Sequence, residues 1–426
     1  MIPKTTAPRK ITVTHPGGFA VPYYMVALMQ ELGHDVEFET GFYFKQPGFL
    51  ADLVRRLPGN LRGSFEKELR RRFHAGIDPR RVRLHPFLEL AYVAGHRFGL
   101  PAGLSFKLIR LRDDVFDRRV ARRLRRLRPD LVVAHDSCAL HTFRSARRLG
   151  AVSVLNQVIG HIAIGRETLR EEAELCPEFA DTLTRQDLDH VVERCRLEAL
   201  EADHILAPSE YVRDTLVAVG VEPKHIALLP YGVDVERFRP SRKKGDAVFQ
   251  ILFVGQIGQR KGIKYLLEAV KRLSLRDAEL VLVGGIAGSG QGLAPYRDLF
   301  RHIPNVPYHQ VHSVYRGADI FVYPSLHEGS TLAIYEALAS GLPVITTANA
   351  GSVVRDGEEG YIVPIRDVEA LMDRILRLYR DRELLDSMGR KARARAECHT
   401  WEHYGRRLDG LVQRFMAETG ACSSRS

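Results

Sequence analysis

Twice along the 426 residues, short apolar runs rich in β-branched residues alternate with segments of helical pattern, and a stretch of turn residues and charge separates the two series. That alternation narrows the fold more than any other feature. Strands joined through helices line up in parallel, because each crossover returns the chain to the same end of the sheet. In the first series, strands are predicted at residues 11–14 (ITVT), 36–38, 131–134 (LVVA), 152–155 (VSVL), 204–207 (HILA) and 226–229 (IALL). Helical patterns occupy 22–32, 142–149 and a long polar stretch, 167–201; Ser209 is placed to cap a further helix. The second series has strands at 250–254 (QILFV), 280–283 (LVLV), 319–323 (DIFVY), 343–347 (PVITT) and 361–364 (YIVP), with helices at 263–273 and 333–340. Helical patterns at 368–379, 382–396 and 401–416 close the chain. Two doubly wound, Rossmann-like α/β domains facing across a cleft are expected, with 230–238 (PYGVDVERF) and 241–246 (SRKKGD) as the linker.

With 45% hydrophobic and 27% charged residues, the chain has the composition of an ordinary soluble protein. No apolar run is long enough to span a bilayer, and Lys4, Arg9 and Lys10 lead into the first strand without a signal-peptide pattern, so a cytoplasmic or peripheral protein is expected. Cys138, Cys176, Cys195, Cys398 and Cys422 are odd in number and lack a CxxC pair, which argues against a disulfide framework and a zinc site.

The formal charge of +11 is concentrated, since residues 51–130 hold 21 Lys and Arg against 9 Asp and Glu. An anionic partner follows: nucleic acid, lipid headgroups or a lipid-linked phosphate. Over residues 40–111 aromatic and basic residues interleave, as in Phe42, Tyr43, Phe44, Lys45 and Phe49, then Arg70, Arg71 and Arg72, then Phe87, Tyr92, Phe98 and Phe106. Residues 118–128 (RRVARRLRRLR) form a basic amphipathic pattern with Val120, Leu124 and Leu127 on one stripe. A solvated charged face and a membrane-surface helix both fit it.

The chemistry concentrates in residues 325–347 (SLHEGSTLAIYEALASGLPVITT). Glu328 falls in the loop before a helix and Glu336 inside that helix, about two turns on, along the same edge. Gly329, Ser330 and Thr331 put small residues and free backbone N–H groups between them. A helix N-terminus with unpaired donors favours phosphate, whereas carboxylates suit hydroxyl groups, so the pattern fits a nucleotide sugar. Upstream, residues 255–262 (GQIGQRKG) place Gly255, Gly258 and Gly262 with Arg260 and Lys261 at the end of another strand of the same domain. The two loops together could hold a diphosphate from two sides. In the first domain Gly17 and Gly18 follow the first strand, either as a plain turn or as a close backbone approach to substrate. His135 and His161 each lie past the end of a strand.

PYGVDVERF, VGQIGQRKG and above all residues 324–364 (PSLHEGSTLAIYEALASGLPVITTANAGSVVRDGEEGYIVP) resemble the retaining glycosyltransferases of family 4, which have the two-domain GT-B fold. The likeness is close over 207–416 and holds only in outline before that. It implies transfer of a sugar from an NDP-sugar, UDP- or GDP-linked, to an acceptor hydroxyl with retention of configuration, without a metal or a resident cofactor. It implies that Glu336 accepts hydrogen bonds from the donor ribose and Glu328 from the donor sugar, and that Gly329, Ser330, Thr331 and Leu332 offer backbone N–H groups to the diphosphate. Lys261 matches the family's phosphate-binding lysine. Many relatives have arginine where this chain has Gln256, and Arg260 can supply that charge. A histidine of the first domain is implied near the sugar, His161 being the first choice and His135 the second. The implied division is 1–232 for the acceptor, 233–396 for the donor, and 397–426 as a helix and tail returning to the first domain.

With the basic first domain, these features point to polysaccharide or glycolipid synthesis on a lipid-linked or oligosaccharide acceptor at the cytoplasmic face of the membrane. A nucleotide-sugar epimerase or a glycan phosphorylase would keep the fold and change the chemistry. A nucleic-acid-binding protein using residues 118–128 is the reading from another class.

Overall fold

The computed structural model describes residues 4–5, 7–44, 72–97, 102–183, 188–241, 248–304, 306–307 and 310–423. Lys45, Phe49, Arg70, Arg71, Phe98 and residues 242–246 of the expected linker lie outside the described residues.

In the first half, strands β1 (Lys10–His15), β2 (Asp35–Thr40), β3 (Val82–Leu84), β4 (Leu131–His135), β5 (Val152–Asn156), β6 (His204–Ala207) and β7 (Ile226–Leu228) form a parallel sheet of order β3-β2-β1-β4-β5-β6-β7. Around it lie helices α1 (Ala20–Glu31), α2 (Pro86–Arg97), α3 (Ala102–Leu127), α4 (Leu140–Leu149), α5 (Ile162–Leu175), α6 (Asp189–Glu201) and α7 (Glu210–Ala218). The second half pairs β8 (Phe249–Val254), β9 (Ala278–Val283), β10 (Phe300–Ile303), β11 (Ile320–Tyr323), β12 (Val344–Thr347) and β13 (Gly360–Val363) in the parallel order β10-β9-β8-β11-β12-β13. Its helices are α8 (Ile263–Leu273), α9 (Val311–Arg316), α10 (Leu332–Ala339), α11 (Val368–Arg380) and α12 (Arg382–Glu397), before α13 (Trp401–Ser423).

The central strands are continuous apolar runs because helices cover both faces, and every residue of β4, β5, β11 and β12 is buried. Sheet order reverses between β1 and β4 in the first domain and between β8 and β11 in the second. Those switch points open crevices at the strands' C-terminal ends, where open α/β sheets bind ligands. The expected two-domain Rossmann-like architecture is therefore present, with each crevice at a reversal of strand order.

Four expectations change. The edge strands β3 (VRL) and β10 (FRHI) were not anticipated, being short, polar in part and open to solvent on one side. The single polar helix expected at 167–201 is two helices, α5 and α6, separated by a 3-10 turn at Pro177–Thr182. The PYGVDVERF segment is packed rather than loose, with Tyr231, Val233 and Phe238 buried. Residues 118–127 continue the long helix α3, whose Val120 and Leu124 are buried with Phe116, Val132 and Ala146, so this apolar stripe serves the core and does not face a membrane. Arg118, Arg119, Arg122, Arg125 and Arg126 stay exposed.

Helix α13 crosses back to the first domain. Val233 N–H donates to His399 O at 2.9 Å where the two crossings run side by side. Trp401 then stacks on Tyr24 of α1 at 3.8 Å, His34 meets Asp409 at 3.0 Å, and Phe415 stacks on His204. Among the described residues no helix is long and apolar enough to cross a membrane.

Candidate active site

Both loops singled out in the second domain lie at its switch point: GQIGQRKG follows β8, and the loop with Glu328 follows β11, the strand paired with β8. A 3-10 turn at Gln259–Lys261 presents the two cations. Lys261 Nζ and Arg260 Nη1 both reach Glu328 Oε2, the arginine at 3.0 Å, and Arg260 also donates to His327 O at 3.1 Å. Gln256 is exposed, so Arg260 is the second cation beside Lys261. Burial, and then the Arg260 charge beside it, pull Lys261 well below the ordinary lysine range, while contact with Glu328 opposes that pull. A half-buried guanidinium and a buried ammonium sharing one carboxylate form a site that a diphosphate would relieve.

Two glycines are required by close approach. Gly262 has φ 69°, and a Cβ there would come 2.0 Å from Pro324 O. A Cβ on Gly329 would lie 1.8 Å from Val158 O of the first domain. The remaining contacts confirm that the domains meet here: Gly160 N–H donates to Glu328 O at 3.1 Å, Ser209 Oγ to Gly329 O at 2.5 Å, and Tyr211 OH bonds His327 Nδ1 at 2.7 Å. Ser209 also caps α7 by accepting from Val212 N–H, as its position in the sequence predicts.

Ser330 and Thr331 lead into α10, where Leu332 is the first helical residue; Thr331 makes no side-chain cap, though its backbone oxygen accepts from Ile334 N–H at 3.1 Å. Glu336 lies just past the first turn, closer to the N-terminus than the two turns expected. It is half-buried on the helix and accepts from Tyr315 OH at 2.7 Å. Burial raises its carboxyl to about 7, the Tyr315 hydroxyl and Arg237 acting the other way.

In the first domain the switch point gathers the segment after β1 and the end of β4. Gly17 and Gly18 are there, neither with a left-handed backbone, and a Cβ on Gly18 would come 3.1 Å from the Arg72 guanidinium. His135 ends β4 with Nδ1 donating to Thr14 O at 2.9 Å and Nε2 accepting from Asn156 at 2.9 Å; burial lowers it to about 4, so it is neutral near pH 7. Its ring lies 4.5 Å from that of His15, whose nitrogens have no hydrogen-bond partner among the described residues. His161 is placed differently. Its Nδ1 caps α5 by accepting from Ala163 N–H at 3.3 Å, and the ring, lowered to about 4 by burial, turns toward the backbone of Cys195. Nearby, Glu89 is buried and bonds Arg72 and Arg112, the latter at 2.7 Å; Arg112 also holds Asp113.

His15, His327, Tyr315 and Glu89 were not singled out from the sequence. His15 and His327 stand next to quoted motifs, at a strand end and before Glu328, which is the signal that could have raised them. Nothing local distinguishes Glu89 or Tyr315 from other residues of their helices. Among the described residues no three His, Cys, Asp or Glu are placed to hold a metal.

Comparison with known proteins agrees over both halves. The family described as "Glycosyltransferase Family 4" matches residues 17–237, and "Glycosyl transferases group 1" matches residues 234–395. A D-inositol 3-phosphate glycosyltransferase of Geodermatophilus obscurus is 35% identical over 53% of this chain and 56% of its own. The chain thus spans little more than half the length of that relative and of others like it. An MMP alpha-(1->4)-mannosyltransferase of Mycolicibacterium hassiacum is 26% identical over 96% of this chain and 97% of its own. The crystal structure of Anabaena HepE in complex with UDP superposes with a TM-score of 0.63 at 12% identity, covering 95% of this chain and all of that one, a likeness of fold.

Proposed function

Because this chain belongs to glycosyltransferase family 4, with the GT-B fold, we propose that it transfers a sugar from an NDP-sugar to an acceptor hydroxyl with retention of configuration. The observation that carries the proposal is the convergence of Lys261 and Arg260 on Glu328 at the second sheet's switch point. The second domain takes the donor and the first the acceptor. The diphosphate lies against Arg260, Lys261 and the N–H groups from Gly329 to Leu332; Glu336 receives the ribose hydroxyls and Glu328 those of the sugar. A UDP-sugar is the first donor to try, since a protein of the same fold binds UDP, and a GDP-sugar the second.

The acceptor oxygen attacks the anomeric carbon on the face from which the β-phosphate oxygen leaves. The bond from carbon to acceptor oxygen forms as the bond from carbon to phosphate oxygen breaks, and the acceptor's proton passes to the departing phosphate. Charge growing on the nucleoside diphosphate is met by Lys261, Arg260 and the start of α10, so the transfer needs no metal. Of the two histidines, His135 is the one at the first switch point; both rings are engaged within the protein, His135 with Thr14 O and Asn156 and His161 through Nδ1 in capping α5. Neutral His135, its two ring nitrogens already held by Thr14 O and Asn156, lines the crevice by shape and offers the sugar neither a charge nor a free hydrogen-bonding group.

The acceptor side of the proposal is a lipid-linked or oligosaccharide substrate at the cytoplasmic membrane face. Phe87 and Leu90 of α2 and Leu104 and Leu111 of α3 are exposed, Phe87 by 76%, on helices that pack together and carry the exposed arginines of α3. Exposed apolar groups beside basic ones suit an anionic lipid surface.

Thermal-shift screening against UDP-, GDP-, ADP- and CMP-sugars tests the donor, because ligand binding to the folded state raises its stability. Selective stabilisation by one of them, followed by an NMR assignment of the product anomer as that of the donor, is expected. Stabilisation by none, or an inverted product, would overturn the proposal.

A further inference from the structure

We infer that Glu172 is a positioning residue through which the first domain sets the diphosphate-binding turn of the second; the inference rests on the nucleotide-sugar reading of that turn. Glu172 lies in α5 of the first domain and is fully buried. Its Oε1 accepts from Gln259 Nε2 at 2.6 Å and from Tyr265 OH at 2.8 Å, and its Oε2 accepts from Arg366 Nε at 2.7 Å. All three donors belong to the second domain.

Gln259 opens the 3-10 turn that carries Arg260 and Lys261, and it is itself fully buried. Its backbone N–H donates to Thr182 Oγ1 of the first domain at 2.9 Å, and its side-chain oxygen accepts from Lys264 N–H at 3.0 Å. The opposite side of the turn is held within the second domain, where Arg260 O accepts from Leu326 N–H and Ser325 Oγ, both at 3.0 Å. The turn is thus clamped between the loop bearing Glu328 and an arm of the first domain, and Glu172 is the arm's charged end.

Arg366 supports a positional role. Its φ is 64°, a left-handed conformation that suits glycine better than a residue with a β-carbon. That backbone sends the guanidinium into the first domain, onto Glu172, onto Glu171 at 2.8 Å and onto Thr168 O at 3.2 Å. A buried carboxylate ringed by donors contributes little net stability, yet it defines geometry well. Separation of the domains would free Gln259 from Glu172 and Thr182 and loosen both cations, so closure and donor geometry are coupled.

The test uses the full chain with Glu172→Gln and Arg366→Gly, measuring affinity for whichever NDP-sugar stabilises the wild type, acceptor KM, Tm and amide hydrogen exchange over 258–264. Each variant is expected to weaken donor binding about tenfold, leave acceptor KM unchanged, and speed exchange in 258–264 while the strands of the second sheet stay protected. Arg366→Gly removes the strained backbone, so its Tm is expected to hold or rise while donor affinity falls, an opposition that a purely structural role would not produce. If Glu172→Gln does not fold, Arg366→Gly carries the test. Wild-type donor affinity and exchange in a folded variant, or equal losses for donor and acceptor, would overturn the inference. If no NDP-sugar stabilises the wild type, the nucleotide-sugar reading fails by itself. Exchange over 258–264 then decides whether Glu172 holds the turn: faster exchange upholds it, unchanged exchange removes it.

Discussion

The two switch points are built on the same topology and assembled in opposite ways. In the second domain the cations and both carboxylates come from two contiguous segments, 255–262 and 328–336, and the charged groups face one another around Glu328. In the first domain the corresponding crevice collects His15, Gly18, Arg72, Glu89, Arg112 and His135, and its two arginines meet two carboxylates, Glu89 holding Arg72 and Arg112 and Asp113 holding Arg112 as well. A crevice with two cations on one carboxylate is ready for an anion. One whose arginines are already paired is organised for shape, and its specificity can change without loss of the donor site.

The largest effect that could break this contrast is at Glu89. Its replacement by Ala would leave Arg72 and Arg112 without their shared buried carboxylate, so about 3–5 kcal/mol of unfolding stability should be lost. Donor affinity in the surviving folded fraction should be unchanged, and denaturant titration with and without nucleotide sugar checks both. Next, Lys261→Ala should cost turnover about 10²–10³-fold, of order 3–4 kcal/mol of transition-state stabilisation, with little change in Tm. If Glu89→Ala weakened the donor as much as Lys261→Ala, the division between the crevices would not stand.

A smaller effect sharpens the donor side. Glu336 must be ionised to accept from both ribose hydroxyls, and burial has raised it to about 7. Donor affinity should therefore fall by up to about tenfold per unit as pH drops below 7, and level off above it. Since the raised group favours the empty fold when protonated, that stability is present below the ordinary glutamate range and is lost as pH rises through about 7. Glu336→Gln should then weaken the donor yet stabilise the empty protein at pH 8 by about 1 kcal/mol. Isothermal titration and thermal melts across pH 5–8.5 would show the two trends moving in opposite directions. The smallest effect concerns the outer face. Replacing Arg119 and Arg122 by Gln should reduce binding to phosphatidylserine vesicles by about 1 kcal/mol per residue while leaving donor affinity intact. Equal sedimentation with vesicles before and after would remove the membrane part of the proposal.

How much of this was legible follows the same division. Glu328, Arg260 and Lys261 could be placed directly, because each lies in a loop that follows an apolar strand bounded by glycine or proline, and Glu336 because it falls in the short helix that leaves one of those loops. The basic pattern at 118–128 was legible as a helix, but the partner of its apolar stripe was not, and Val120 and Leu124 pack inside the first domain. His161 was ranked before His135 although both follow strands and no local motif separates them; only the structure shows one ring capping a helix and the other at a crevice. Glu172 has glutamates at 171 and 174 beside it, and nothing local marks which one is buried.

The sequence by itself determined the two α/β halves and the glycine-rich and acidic loops at their strand ends, since these depend on periodicity and on contacts within short segments. Only the tertiary structure decided which charges are spent inside the protein and which are left for a ligand. Pairing Glu89 with Arg72, or Glu172 with Gln259 and Arg366, joins groups from distant parts of the chain, and burial there sets each group's charge and hydrogen bonding in a way that composition and spacing do not encode.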